Sequence, residues 1–244
     1  MNKRAKELGM KDTHFVNTNG LPVADHYTSA YDIALMSREL IKHTHTKDWF
    51  NTWQTTIKVG LEGKKQTELG LTNTNRLIKM YPGANGIKTG FTQDAGYCLS
   101  GSATKGDLTL ISVILGCKTS KLRFSETCKL MDYGFANYES VKIAEKGEPF
   151  GSIELEKATP SIIDAVSPEN ISILVKKGKK DGIKGETIFK KSIYAPVKRD
   201  QEVGEIVIYQ NDKELSRYPL VAAESADKAT FVELYIRMLK EGVR

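Results

Sequence analysis

The 244-residue sequence predicts an α/β domain, followed by a small all-β domain and a C-terminal amphipathic helix. In the first part, three apolar or alternating runs lie between two amphipathic helical patterns. From about Val141 the sequence changes to short β-branched runs that turn residues separate, and the tail carries apolar residues at helical spacing. We therefore expect a first domain at 1–140, an all-β domain at 141–222 and a helix at 223–244.

The two helical patterns of the first domain have recognisable starts. Ser29 offers an N-cap hydroxyl with Asp32 three residues later, a variant of the capping box, and the helix is expected to run to about Lys42. The second pattern begins after Thr119 or Ser120, either of which would cap an amphipathic helix.

The sheet of the first domain is predicted from three consecutive runs. Gly86–Phe91, Tyr97–Ala103 and Leu108–Leu115 are expected to be adjacent antiparallel strands because short connections join them. Upstream, Thr55–Val59 alternates in polarity and predicts a surface hairpin that closes near Glu62-Gly63.

The second domain is predicted to be all β because its apolar runs are short and regularly spaced. The runs are Val141–Ala144, Ile153–Leu155, Ile162–Val166, Ile171–Val175, Thr187–Phe189, Val203–Tyr209 and Leu215–Val221. The basic run Lys176–Lys180 is expected to be a solvated hairpin tip.

The tail at 228–244 places apolar residues on one helical stripe with basic residues around it. The stripe consists of Phe231, Leu234, Tyr235, Met238 and Leu239, and the basic residues are Lys228, Arg237, Lys240 and Arg244. Such a helix either lies in a membrane interface or packs on the β domain, and the pattern alone favours neither.

Composition and charge exclude several classes of protein. The longest apolar stretch, Leu110–Leu115, is far shorter than the roughly 18 residues that span a bilayer. No apolar segment of the signal-peptide type follows Met1. Residues 1–143 carry 19 Lys and Arg against 13 Asp and Glu, which is the entire net charge of +6 and favours an anionic partner. A nucleic acid is not expected, because these cations are dispersed and not interleaved with aromatic residues.

The strongest chemical signal is Lys88-Thr89-Gly90, which lies within Gly86–Thr92 on the first predicted strand. Glycine lets a ligand approach the backbone closely, lysine supplies a cation and threonine supplies a hydroxyl, a combination suited to binding a carboxylate. Three residues alone are weak evidence, since the same triplet also occurs in surface turns.

Further segments match a known family. Together with Thr13–Leu21, Tyr27–Leu35, Asn73-Thr-Asn75 and the run Gly86–Ala103, the chain resembles the low-molecular-mass penicillin-binding D-alanyl-D-alanine carboxypeptidases over nearly its whole length. The resemblance implies a β-lactamase- or transpeptidase-like first domain, present in part, a sandwich-like second domain and a membrane-seeking tail.

The resemblance also assigns roles to residues of the triplet and its surroundings. Lys88 would stabilise the site electrostatically, and Thr89 would bind the terminal carboxylate of the substrate. The backbone N–H of Phe91, next to Gly90, would supply half of an oxyanion hole, worth roughly 3–4 kcal/mol in comparable enzymes. Arg123 matches an arginine near the carboxylate pocket, although a surface arginine on the capped helix is an equal alternative.

The chain departs from the family pattern in the motifs that carry covalent chemistry. Family members have Ser-x-x-Lys, with the nucleophile and its activating lysine, and Ser-x-Asn. We expect both to be absent here at the family positions, because Ser37, Ser120, Ser125 and Ser152 do not start the required tetrad. The chain is then expected to be the remainder of a longer enzyme and to be inactive alone. The alternative is a non-catalytic peptidoglycan-peptide-binding or scaffold protein.

The expected ligands and location follow from the resemblance. The partners would be a peptidoglycan stem peptide ending in D-Ala-D-Ala, β-lactams in the complete enzyme, and a membrane surface through residues 228–244. The complete protein would be extracytoplasmic and peripheral to the cell membrane. No cofactor or metal is expected, since the histidines lack partners at ligand spacing and His14 lies among turn formers.

Overall fold

The computed structural model describes residues 1–61, 66–191 and 193–241, with side chains as far as residue 239. Contacts divide the chain into two units, Met1–Asn137 and Tyr138–Arg244. The predicted turn at Glu62-Gly63, the side chain of Lys240 and residue Arg244 lie outside the described part. The predicted fold class, an α/β part followed by a β-rich part and a terminal helix, is confirmed.

The first unit contains five helices and five strands among its described residues. The helices are α1 Asn2–Glu7, α2 Ala30–Leu40, α3 Thr46–Asn51, α4 Leu77–Met80 and α5 Ser120–Asn137. The strands are β1 Gln54–Val59, β2 Thr67–Thr72, β3 Ala84–Thr92, β4 Gly96–Lys105 and β5 Leu108–Cys117.

The centre of the first unit is the antiparallel sheet β3-β4-β5, as predicted from the three consecutive runs. Helix α5 packs on β4 and β5, around a core of Leu77, Tyr81, Leu99, Ala103, Phe124 and Met131. A Cβ atom at Gly101 of β4 would lie 2.7 Å from Leu77 Cδ2 and 3.1 Å from Thr127 Cγ2. The helices therefore approach the sheet as closely as they do only because residue 101 has no side chain.

The predicted start of α2 is confirmed. The Ser29 hydroxyl accepts a hydrogen bond from the Asp32 backbone N–H at 3.2 Å, as expected for an N-cap. The buried Asp32 carboxylate then accepts hydrogen bonds from the Asp12 backbone N–H at 2.7 Å and the Thr13 hydroxyl at 2.6 Å. The Asp32 side chain thus ties the loop at residues 12 and 13 to the start of α2.

The short helices α3 and α4 were not predicted. Each spans only four to six residues, too few to show a helical period in the sequence. The hairpin β1-β2 agrees with the prediction, and its strands pair from Gln54 opposite Thr72 to Val59 opposite Thr67.

The second unit is built of strands that pack around one core and end in a helix. Its elements are β6 Tyr138–Ala144, β7 Pro149–Glu154, β8 Ala158–Thr159, β9 Ile162–Val166, β10 Ile171–Lys176, β11 Ile183–Phe189, β12 Glu202–Gln210, β13 Lys213–Ala222, β14 Asp227–Lys228 and α6 Phe231–Glu241. The sheets are β11-β12-β13-β9-β7, β10-β6 and β14-β8. Alternate residues of β10 are buried, which places Ile171, Ile173 and Val175 in the core.

The prediction of a hairpin tip at Lys176–Lys180 is wrong. The strands on either side, β10 and β11, pair with different partners, β6 and β12. The basic segment therefore connects two sheets. It is fixed to β6, where Glu139 accepts a hydrogen bond from the Gly178 backbone N–H at 2.9 Å and pairs with Lys180 Nζ at 2.9 Å.

Helix α6 exposes most of its apolar side chains. Phe231, Val232, Tyr235, Ile236, Met238 and Leu239 are all exposed, with Phe231 at 83%. Leu234 and Arg237 are half-buried, and Arg237 donates a hydrogen bond to the Ala158 carbonyl at 2.9 Å. No helix within the described ranges combines the length and apolarity needed to span a bilayer.

Candidate active site

The Lys-Thr-Gly triplet lies on β3, which among the described strands pairs only with β4 and so forms an edge of the sheet. Successive side chains of a strand point to opposite faces. Ile87 and Thr89 are buried accordingly, whereas Lys88 is exposed. The triplet therefore places an exposed lysine next to a largely buried hydroxyl at an open strand edge, and the Lys88 ammonium group reaches back to the Thr89 carbonyl.

The Thr89 hydroxyl is held by a second threonine. Thr74 Oγ1 lies 2.6 Å from Thr89 Oγ1, and Thr89 is only 8% exposed. The segment that carries Thr74 is shaped by its asparagines, because Asn73 Oδ1 accepts from the Asn75 backbone N–H and Asn75 Oδ1 accepts from the Leu77 backbone N–H. The segment Asn73-Thr-Asn75 is thereby brought against the triplet.

The Lys88 ammonium group is oriented by its own strand. Lys88 Nζ donates a hydrogen bond to the Thr89 backbone carbonyl at 2.9 Å and has no carboxylate partner within the described part of the chain. Across the ladder, Lys88 lies opposite Ser100, whose hydroxyl is 2.7 Å from that of Ser37 on α2. A cation without a counter-ion at this position is available for an anionic ligand.

Arg123, in the first turn of α5, lies beneath the triplet. Its Nη1 donates to the Gly90 carbonyl at 3.1 Å and to the Cys98 carbonyl at 3.2 Å. The residue is 7% exposed, and its guanidinium lies over the rings of Tyr97 and Phe124. The alternative of a surface arginine is therefore wrong, since this side chain ties the start of α5 to β3 and β4.

The electrostatic environment of Arg123 contains no acidic partner among the described residues. Burial lowers the pKa of Arg123 most strongly, the nearby Cys98, Tyr97 and Cys117 raise it, and the neighbouring Arg76 lowers it. The Arg123 Nε is buried and has no hydrogen-bond partner. A buried donor that is left unpaired is costly, so the side chain is poorly compensated without a ligand.

Phe91 follows the triplet at the open end of β3. It pairs with Tyr97 across the ladder, and the two rings are tilted with their centroids 4.3 Å apart. The Phe91 ring is 54% exposed. The structure thus brings together Lys88, Thr89, Gly90 and Phe91 on one strand, with Arg123 below them.

The letters Ser-x-x-Lys do occur twice in the sequence, at Ser102–Lys105 and Ser225–Lys228, so their absence holds only for the family position. Ser102 is fully buried and donates to Asn85 Oδ1, while Lys105 Nζ donates to the Tyr81 hydroxyl at 3.1 Å. The Ser225 hydroxyl accepts from the Arg199 backbone N–H. Neither serine hydroxyl contacts the lysine of its own tetrad in the described structure, so neither is an activated nucleophile.

Two histidines of the first unit contact nearby backbone, and one of them, His26, accepts a hydrogen bond from the Val16 backbone N–H at 3.0 Å. His14 pairs with Tyr27 in an isolated bridge, and its Nδ1 lies 2.7 Å from the Asp25 carbonyl oxygen. Across residues 1–61, 66–191 and 193–241, no group of three or more His, Cys, Asp or Glu is arranged to hold a metal ion.

Three neighbours of the triplet were not predicted as site residues. Thr74 belongs to a segment that the sequence already singled out, and its contact with Thr89 gives that segment a role. Arg76 and Lys79 follow it around α4 and line a cleft that also contains Arg123. Their spacing in the sequence carries no recognisable motif, so only the folded chain brings them together.

Comparison with known families covers both units separately. Residues 1–119 match the family described as D-alanyl-D-alanine carboxypeptidase. Residues 138–228 match the family described as penicillin-binding protein 5, C-terminal domain.

Individual relatives and solved structures agree with this assignment. The chain is 38% identical over 240 residues to the D-alanyl-D-alanine carboxypeptidase DacF of Bacillus subtilis, covering 98% of this chain and 61% of that protein. It is 32% identical to DacD of Escherichia coli, over 94% of this chain and 58% of that protein. The crystal structure of penicillin-binding protein 5 from Haemophilus influenzae matches with a TM-score of 0.73 and 27% identity, over 93% of this chain and 64% of that chain. The chain thus spans about three fifths of the length of these relatives.

Proposed function

Because the chain belongs to the family of penicillin-binding D-alanyl-D-alanine carboxypeptidases, we propose that it provides the Lys-Thr-Gly side of a serine carboxypeptidase site. The reaction is removal of the terminal D-alanine from peptidoglycan stem peptides. The single observation that carries this proposal is the cradle formed by Lys88, Thr89 and Arg123 at an open strand edge.

The cradle suits the C-terminus of a peptide for two reasons. An edge strand offers unpaired backbone groups, along which an extended peptide can add as a further strand. A carboxylate at the end of that peptide is attracted by the unpaired Lys88 ammonium group and can accept a hydrogen bond from the Thr89 hydroxyl. Arg123 keeps the strand at this position through the Gly90 carbonyl and adds positive charge below it.

The chemistry is acyl transfer in two steps. A serine hydroxyl attacks the carbonyl carbon of the penultimate D-alanine, loses its proton to a base and forms an ester, while the terminal D-alanine leaves as a free amino acid. Water then hydrolyses the ester. The backbone N–H of Phe91 would donate to the oxyanion that forms in each step. A β-lactam would acylate the same serine by opening its ring.

None of the described side chains is placed as the attacking nucleophile, so the proposal requires a serine from residues other than those described. The same cradle of Lys88, Thr89 and Arg123 also favours a second candidate function. A chain that holds the carboxylate cradle without a paired nucleophile and base could be a non-catalytic protein that binds peptidoglycan peptides or serves as a scaffold.

Binding of a defined peptide tests the cradle. We expect N-acetyl-Lys-D-Ala-D-Ala to bind the 244-residue chain saturably in calorimetric titration, and Lys88→Gln and Thr89→Val to weaken binding several-fold. Lys58→Gln, which changes an exposed lysine on β1, is the matched control and should bind like the unmodified protein. No saturable binding, or equal binding by all variants, would refute the proposal and remove the scaffold candidate with it.

The intact mass of the chain after incubation with penicillin tests whether the chain itself supplies a nucleophile. We expect no covalent adduct on the 244-residue chain, because no described serine is paired with a base. An adduct, located by peptide mapping, would show that one of its own hydroxyls is activated and that the assignment of the nucleophile is wrong.

Location and partners form a further part of the proposal. The cell-wall role of the relatives supports an extracytoplasmic protein, and the exposed apolar face of α6 supports contact with a membrane surface through residues 228–244. An interfacial helix buries such a face about 5–10 Å below the headgroups. A nucleic-acid partner is not proposed.

Vesicle sedimentation tests the membrane contact. We expect the chain to sediment with phosphatidylglycerol vesicles and Phe231→Ser/Met238→Ser to remain in the supernatant. Leu174→Ser removes an apolar side chain on β10 that is 56% exposed and serves as the control. Equal sedimentation of both variants would contradict the role of α6.

A further inference from the structure

A cationic cleft lies next to the triplet in the first unit. It has a volume of about 580 Å³, and the residues that line it include Trp53, Thr74, Arg76, Lys79, Met80 and Arg123. No aspartate or glutamate is among the described residues that line it. The cleft adjoins the candidate site directly, because Thr74 reaches the Thr89 hydroxyl at 2.6 Å.

The cations of the cleft lack internal counter-ions. Arg76 and Lys79 are exposed, and neither forms an ion pair with a carboxylate in the described part of the chain. Lys79 Nζ lies 6.0 Å from the centroid of the Trp53 ring, an arrangement that orients an ammonium group without neutralising it. By contrast, Arg4, Lys42 and Lys129 of the first unit each form an ion pair with a carboxylate.

A buried group of the same cleft is also unsatisfied. Arg123 is more than nine-tenths buried, and its Nε has no hydrogen-bond partner. Arg76 is close enough to Arg123 to disfavour its charged form, after the larger effect of burial. Two guanidinium groups and one ammonium group therefore share a concave surface without an anion among the described residues, which is unfavourable unless a ligand supplies one.

We propose that Arg76, Lys79 and Trp53 form a subsite for a second carboxylate of the substrate, so that the protein prefers peptides carrying an acidic side chain near the D-Ala-D-Ala end. This inference rests on the proposed function, because it places the terminal carboxylate at Thr89 and the second one in the adjoining cleft. Trp53 and Met80 supply apolar contacts for the aliphatic part of that side chain. The subsite determines selectivity and takes no part in bond breaking.

Two peptides that differ only in charge test the preference. N-acetyl-Glu-D-Ala-D-Ala and N-acetyl-Gln-D-Ala-D-Ala are titrated into the full chain by calorimetry. We expect the acidic peptide to bind roughly three- to ten-fold more tightly at low salt, as one or two partly exposed charge pairs provide. The preference should shrink at high salt because these charges are screened.

Single substitutions assign the preference to the cleft. Arg76→Gln and Lys79→Gln should each reduce the Glu-over-Gln preference several-fold, because each weakens binding of the Glu peptide far more than binding of the Gln peptide. Both side chains are exposed, so folding is not expected to suffer. Lys3→Gln, which removes an exposed charge from α1, is the matched control. Equal affinities for the two peptides, or a preference that survives both cleft variants, would overturn the proposal.

A separate probe distinguishes this inference from the proposed function. Glutarate is titrated while the indole N–H resonance of Trp53 is followed by NMR, with Trp49→Phe used to assign the two tryptophans. If neither peptide binds, the proposed function is contradicted, and the preference for acidic peptides falls with it. Even in that case, a saturable glutarate-induced shift of the Trp53 resonance that Arg76→Gln abolishes would support an anion-binding site in the cleft. If glutarate causes no shift, the anion-binding site is overturned too.

Discussion

Thr74 Oγ1 lies 2.6 Å from Thr89 Oγ1, and this contact joins a turn before α4 to the strand that carries the Lys-Thr-Gly triplet. Thr89 is nearly buried, so its hydroxyl has few other partners. The orientation of the proposed carboxylate ligand thus depends on a residue 15 positions earlier in the chain.

Thr74→Val is expected to weaken binding of a D-Ala-D-Ala peptide by a few fold, since the Thr89 hydroxyl loses the partner that orients it. The free energy of unfolding should fall by about 0.5–1.5 kcal/mol, the usual contribution of one hydrogen bond. Calorimetric titration and urea unfolding measure the two effects. The control is Thr109→Val, which removes the exposed Thr104–Thr109 hydroxyl contact and should leave peptide binding unchanged; if both variants bind equally weakly, the role of Thr74 is disproved.

Arg123→Ala should destabilise the first unit strongly. It removes the donor shared by the Gly90 and Cys98 carbonyls and leaves space beneath the strand, so the free energy of unfolding should fall by about 2–4 kcal/mol. Denaturant unfolding followed by tryptophan fluorescence reports on this unit, because both tryptophans belong to it. Arg4→Ala, in the same unit, breaks only exposed ion pairs with Glu7 and Glu39 and should lower the free energy of unfolding far less. Similar losses for the two arginines would contradict this account.

Gly101→Ala is expected to destabilise the first unit by about 1–3 kcal/mol through overpacking. The added methyl group would lie 2.7 Å from Leu77 Cδ2 and 3.3 Å from Met131 Cε, both within the core. Gly70→Ala is the matched control, because a Cβ atom on this β2 glycine meets no atom within 4 Å. Thermal unfolding of both variants decides the matter, and a Gly101→Ala protein as stable as the control would show that the helices can shift outward freely.

Alkaline pH should destabilise the first unit through Tyr81. Burial, the hydrogen bond to Asp132 at 2.7 Å and the charge of that carboxylate raise the pKa of Tyr81 above its usual value of 10.0. Because the folded pKa is the higher one, the contribution of this group is fully present below about pH 10 and is lost as the pH rises further. Tyr81→Phe should therefore flatten the dependence of stability on pH above 10. Parallel slopes for Tyr81→Phe and the unmodified protein would argue against Tyr81 as the cause.

The sequence predicted the fold correctly where the pattern of neighbouring residues determines the structure. Strands β3 to β5 and the Ser29 cap of α2 follow from alternation and from a hydroxyl three residues before an acid, and these features act within a few residues of one another. The prediction of a hairpin at Lys176–Lys180 was wrong because the pairing of the flanking strands is not determined by neighbouring residues. The strands on either side of this segment, β10 and β11, are consecutive in the sequence but belong to different sheets. Strand β10 pairs with the earlier strand β6, and β11 pairs with β12.

The candidate site likewise combines features that neighbouring residues determine with features that depend on tertiary packing. The triplet is visible in the sequence because its three residues are contiguous, whereas the burial of Arg123 and the contact between Thr74 and Thr89 depend on how α4 and α5 pack on the sheet. Arg76, which precedes α4, and Lys79 within it are exposed residues with no recognisable pattern around them. Their position beside Arg123 gives them significance, and no local pattern encodes that position.

The open edge of β3 has a consequence for handling the protein. Unpaired backbone groups on an edge invite the same edge of another copy to join it, and natural proteins discourage such aggregation by placing lysine there. Lys88 is the exposed lysine of this edge. Replacing it with an apolar residue should promote self-association, so light scattering has to accompany any binding measurement on a Lys88 variant.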